Sequence, residues 1–276
     1  MSSDRGSMIV AAGLDCSGKS TMINALKDWA LENGKSTVDI RDIEKRTNSL
    51  PSFNDVKDAE VLISAEPTYA WIGDAIRSEV IRNGVKGYGA RTTASLYSFD
   101  RLMLYNRILI PFIEKGGLVF QDRSVESSIV YQPVQASLNK EIRDIEDFRK
   151  FVMNLHGNRI ALKIHPTDLI MVAKCPVDEA VRRKNARLDK NDNCIFENRK
   201  FQGELAKYYY SDWFVDFFEN FGTKVAYVDS SVSIDETRKN TLAAWNDFIK
   251  LRKYNTYRKT FKQPFLQPFR KRLIKT

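Results

Sequence analysis

The segment Gly13-Leu14-Asp15-Cys16-Ser17-Gly18-Lys19-Ser20 constrains this chain more than any other stretch. It fits G-x-x-x-x-G-K-[ST] at every fixed position and stands between a short apolar run, Met8 to Ala12, and an amphipathic helical pattern, Lys19 to Glu32. Glycines let such a loop curl so that consecutive backbone N–H groups point inward at phosphate oxygens, and the following helix adds its positive N-terminal dipole. Lys19 is then placed to neutralise β- and γ-phosphates and the Ser20 hydroxyl to ligate Mg²⁺. The residues from Gly13 through Thr21 are therefore expected to bind ATP with Mg²⁺.

Further short apolar runs alternate with helical patterns along the chain. Ser36 to Ile40, Val61 to Ala65, Leu118 to Gln121, Leu169 to Ala173 and Lys224 to Val228 read as strands. Between them, helices are expected after Ile72, over Arg91 to Lys115, Ser124 to Leu138 and Ile142 to Leu155, and from Val177; one long amphipathic helix is expected over 196–220 and a last one over Ile234 to Leu251. The polar stretch Arg41 to Asp58, with Asn48, Pro51 and Asn54, reads as an irregular excursion. Alternating elements of this kind predict a three-layer, doubly wound parallel sheet of the α/β class, with ligands outside the carboxyl ends of the strands. Gly13, Glu66 and Asp122 all fall at that rim. Asp122, closing an apolar strand, suits a magnesium-orienting acid alongside Ser20, or a helix N-cap, or both.

Composition narrows the class. No apolar run reaches the roughly 18–20 residues of a membrane span. Three scattered cysteines and two histidines form no disulfide framework and no metal-ligand spacing, which fits a reducing cytoplasm and leaves metal binding to oxygen ligands. The net charge of +9 belongs to the C-terminus: from Lys250 onward there are ten Lys or Arg residues and no acid. Residues 254–276 therefore read as a basic, aromatic tail on a domain spanning 1–253. Pro264 and Pro268 interrupt any helix there. Such a tail suits either a strap on the body or a nucleic-acid contact.

Two longer blocks add a resemblance. Tyr97-Ser98-Phe99-Asp100-Arg101, then Asp122-Arg123-Ser124 with Ser127-Ser128 and Tyr131-Gln132, resemble the F-x-A-D-R and D-R-Y-x-x-S-x-x-A-Y-Q blocks of the thymidylate kinase family of P-loop nucleoside monophosphate kinases. Glu66-Pro67-Thr68 with Ile72-Gly73 and Ile76-Arg77 is similar to its R-E-P…I-G-x-x-I-R block. The resemblance runs from about Met8 to Leu251. It implies a P-loop nucleotide kinase that transfers the γ-phosphate of ATP to dTMP, giving dTDP for nucleotide biosynthesis, as a cytoplasmic homodimer. Tyr97 would stack on the base or lie in the core, Arg101 would donate to a base carbonyl, and Gln132 would border the base. Arg123 would clamp the acceptor's phosphate, with Asp15 and Glu66 nearby. A lid near 182–200 would bring one of Arg182, Arg183 and Arg187, of which 183 and 187 share a helix face, over the transferring phosphoryl group, or present a solvated basic face.

The chain departs from the family at three places. Cys16 stands where some members have a P-loop arginine, Ala65 replaces the arginine of R-E-P, and Ser124 replaces the tyrosine of D-R-Y. Glu66-Pro67-Thr68-Tyr69-Ala70-Trp71 also resembles the E-P-V-x-x-W of deoxynucleoside kinases, where the glutamate is a general base. Phosphorylation of a nucleoside, and a non-catalytic nucleotide-dependent nucleic-acid binder using the tail, are the alternatives.

Overall fold

The computed structural model describes residues 5–82, 87–186, 196 and 198–261, with side chains placed up to residue 252. Six strands form one parallel sheet: β1 (Ser7–Ala12), β2 (Thr37–Asp39), β3 (Val61–Ala65), β4 (Leu118–Asp122), β5 (Leu169–Lys174) and β6 (Lys224–Asp229), in the order β2-β3-β4-β1-β5-β6. Because side chains alternate across a strand, the continuous apolar runs supply two cores at once. Ile9, Ala11, Ile63, Phe120 and Met171 pack on one face against helix Lys19–Glu32 and Trp245. Met8, Val10, Leu62, Val119 and Ile170 pack on the other against Leu104, Ile129 and Leu205. The expected three-layer α/β sandwich is the observed one.

The chain leaves β1, fills the β4 side and later crosses to β5, so β1 lies at the switch point where a crevice opens beyond the strand ends. Register places Ala11 and Ala65 on either side of Asp122. The P-loop, the Glu66–Thr68 turn and Asp122 thus share one rim.

Several boundaries differ from the sequence reading. Residues 41–58 are not irregular: they carry helices Ile40–Thr47 and Phe53–Val56. Only Ile40 and Glu44 of the first are buried, so its pattern contains a single apolar inward residue and a carboxylate. The aromatic-rich 196–220 segment is two helices, Arg199–Tyr209 and Asp212–Glu219, broken where the Ser211 hydroxyl bonds back to the Tyr208 carbonyl at 2.7 Å. The apolar pattern continues across that break and hides it. The last helix, Ile234–Phe261, runs ten residues beyond Leu251 and ends before Pro264. No helix among the described residues is long and apolar enough to cross a membrane.

Candidate active site

The P-loop is built from backbone that most side chains resist. Gly13 (φ +128°) and Gly18 (φ +106°) turn left-handed, and Cys16 (φ +57°) joins them. A Cβ at Gly13 would meet the Ala173 carbonyl at 3.1 Å, so β5 presses directly on the loop. Ser17 closes the curl by donating to the Leu14 carbonyl at 2.8 Å. Lys19 opens the helix, nearly buried, with its ammonium folded onto the carbonyls of Gly13 and Leu14. Burial, then the Arg123 charge, lowers its pKa to about 8 against the opposing pull of Asp122 and Asp15. A polyanion bound here would raise that pKa again and favour the charged form.

Arg123 (φ +65°) follows Asp122 in the turn after β4. Its guanidinium pairs with Asp15, donates to the Tyr131 hydroxyl at 3.0 Å and approaches the Gly13 carbonyl at 3.4 Å. The planar fork lies over the Tyr131 ring, 5.0 Å from its centre. Lys19, Arg123, Asp15 and Asp122 are therefore one cluster. Asp122 holds a buried Oδ1 with no hydrogen-bond partner among the described residues, and Ser20 is exposed in the first turn of the helix that follows the P-loop. Mg²⁺ takes one or two protein oxygens and completes its shell with phosphates and water, so this donor pair fits that ion.

Gln202 is a member that the sequence did not reveal. From helix Arg199–Tyr209 it accepts from the Asp15 N–H at 2.9 Å and donates to the Asp15 carboxylate at 2.6 Å and the Phe196 carbonyl at 2.9 Å. A glutamine on an aromatic-rich helix carries no motif, so only the packing of that helix on the loop exposes its role.

On the acceptor side, the Glu66–Pro67 peptide is cis, and the turn after it is pinned by Asp100, which accepts from the Thr68 N–H at 2.8 Å and hydroxyl at 2.6 Å. Gly73 lets the next helix close on this turn, since a Cβ there would collide with Thr68. Glu66 is buried and holds Arg101, Gln121 and Ser124. Burial raises its pKa to about 7 although Arg101 opposes the shift. Arg101, expected to donate to a base, is instead turned inward at 1% exposure between Glu66, Asn158 and Ser128. The reason is charge: a guanidinium removed from water takes the nearest buried carboxylate. Gln132 is buried on helix Val125–Leu138 with its Oε1 unpartnered among the described residues, and Tyr97 is half-buried on helix Ala90–Leu104.

The lid arginines separate. Arg182 lies on the solvent side, paired with Glu179 one turn back, rather than over the P-loop. Arg183 shares Glu179 but donates to the Ser230 carbonyl at 2.7 Å, and a Cβ on Gly18 would lie 3.9 Å from it. Arg187 and most of the 182–200 lid fall outside the described residues, as do the side chains of the 254–276 tail.

No family model matches the chain. Among curated proteins, the thymidylate kinase of Prochlorococcus marinus (strain NATL1A) is 28% identical over 204 residues, covering 73% of this chain and 81% of that one. The thymidylate kinase of Trichodesmium erythraeum (strain IMS101) is 34% identical over 139 residues, 50% of this chain and 57% of the relative. The probable thymidylate kinase of Pyrococcus abyssi (strain GE5 / Orsay) is 27% identical over 209 residues, 74% and 82% of the two. The solved structure of thymidylate kinase from Candida albicans superimposes with a TM-score of 0.61 over 90% of this chain and 93% of that one, and at 17% identity this likeness shows the shared fold.

Proposed function

The chain belongs to the thymidylate kinase family, and from that premise we propose that it transfers the γ-phosphoryl group of ATP to dTMP, releasing ADP and dTDP. The observation that carries the reading is the cluster at the switch point, where the Lys19 ammonium and the Arg123 guanidinium both reach the Gly13 carbonyl and Arg123 pairs with Asp15. Two cations at the end of β1 and β4 suit two phosphorylated ligands meeting there.

The acceptor's phosphate oxygen is already an anion and attacks the γ-phosphorus directly; an O–P bond forms while the bond to the β-phosphate oxygen breaks. No general base is required, so positioning and neutralisation carry the catalysis. The P-loop N–H groups and Lys19 hold the donor phosphates, and Arg123, fixed by Asp15 and Tyr131, grips the acceptor. Bound through Ser20 and Asp122, Mg²⁺ would neutralise charge on the β- and γ-oxygens. The unpartnered Gln132 oxygen and half-buried Tyr97 suit the base.

Phosphorylation of a nucleoside would need Glu66 as a base toward a hydroxyl. That carboxylate is buried and engaged by Arg101, Gln121 and Ser124, an observation that favours the monophosphate acceptor. A coupled ADP-release assay with a panel of nucleosides and monophosphates tests the choice. Turnover of dTMP and not thymidine is expected; the reverse would overturn it. The same reading makes the enzyme a cytoplasmic homodimer, and sedimentation at twice the chain mass is the check.

A further inference from the structure

Ala65 leaves the acceptor side short of the cation that the R-E-P block supplies at that place. The sheet offers a substitute from the next strand. Asp39 ends β2 opposite Ile63, and Arg41 lies in the first turn of the helix that follows, at the same carboxyl rim where β3 ends in Ala65. Since β2 neighbours β3 in the sheet, Arg41 follows the strand one place outward from Ala65.

The guanidinium there is held in position. Asp39 accepts from the Arg41 Nε at 2.8 Å and from one terminal amine at 2.7 Å, and Lys27 pairs with the same carboxylate at 2.8 Å. One carboxylate between two cations leaves residual positive charge. The second terminal amine of Arg41 makes no hydrogen bond among the described residues, and the side chain keeps 16% exposure, enough to reach a ligand. Burial works against the Arg41 charge, but Asp39, followed by Asp122 and the Tyr69 hydroxyl, more than offsets it.

The structure assigns Arg41 as an acceptor-binding residue: the edge strand and helix Ile40–Thr47 deliver a guanidinium that takes the place of the arginine absent at Ala65 and grips the acceptor's monophosphate. This rests on the reading of the acceptor as a nucleoside monophosphate. A planar fork with one edge on Asp39 and a free amine beyond it suits a phosphate oxygen.

Steady-state kinetics of Arg41→Gln and Arg41→Lys test it. Turnover of dTMP by the wild-type enzyme is measured first, and its absence would count against the acceptor reading itself. With that turnover in hand, Arg41→Gln is expected to raise KM for dTMP roughly tenfold or more while KM for ATP stays put. Arg41→Lys keeps charge and the Asp39 pair but loses the fork, so an intermediate rise is expected; it carries the test if the glutamine variant does not fold. Thymidine, which lacks the phosphate, serves as a competitor against dTMP, and its inhibition constant should not change. An unchanged KM for dTMP, or equal weakening of dTMP and thymidine, would overturn the assignment.

Discussion

Glu44 shows how a single carboxylate can tie site and stability together. It is fully buried under the acceptor-side turn, accepts from the Tyr69 N–H at 2.9 Å and leaves Oε1 without a partner among the described residues. Burial raises its pKa from 4.5 to about 7, the Tyr69 bond opposing and Asp100 reinforcing the shift. A raised acid binds its proton in the folded state where the unfolded chain has already released it, so stability falls as pH rises from about 4.5 to 7. Above that window both states are ionised and the cost is complete. By linkage the cost is about 3 kcal/mol. Glu44→Gln, which keeps an acceptor for Tyr69, is expected to remove it: the variant's melting temperature should gain on the wild type between pH 5 and pH 8. A constant difference across that range would refute the assignment. The sequence shows Glu44 only as one charge in a polar stretch, because nothing local records that the Glu66–Trp71 turn packs over it.

At the scale of elements, helix Arg199–Tyr209 connects the segment after the lid to the P-loop through one side chain, Gln202. Both ends of its amide meet Asp15, which in turn holds Arg123. Gln202→Leu keeps the packing volume and deletes both bonds. A hydrogen bond to a charged group contributes about 1.5–3 kcal/mol, so kcat/KM for dTMP is expected to fall roughly tenfold or more. Since Asp15 acts through Arg123, the loss should appear with dTMP varied more than with ATP varied. Full activity would leave Gln202 a purely structural contact. The P-loop itself was legible from sequence because its constraint is local: Gly13 and Gly18 need left-handed backbone, and Lys19-Ser20 need the first turn of a helix. Gln202 is 187 residues from Asp15, and its role follows from packing alone.

The whole molecule is closed by its last helix. Trp245 packs edge-on against Trp29 at 5.1 Å and Phe120 at 5.4 Å, joining the C-terminal helix to the first helix and to the strand that ends in Asp122. Removing a large buried aromatic typically costs about 3–5 kcal/mol, so Trp245→Ala should lower the unfolding free energy by that much, read as a lower denaturant midpoint at an unchanged slope. Wild-type stability in the variant would mean this helix is dispensable to the fold. By itself the sequence determined the parallel three-layer sheet, the order of its main elements and the triphosphate loop. Each depends on short-range pattern: unbroken apolar runs, glycine placement, and helical spacing. The tertiary structure decided where the charges go. It turned Arg101 inward onto Glu66, left Arg182 on Glu179, and set Arg183 beside the P-loop. It also folded the 41–58 excursion into two helices, the first of which carries Arg41 and Glu44. The reason is that a buried charge takes whichever partner the fold places beside it, and that partner can lie anywhere along the chain.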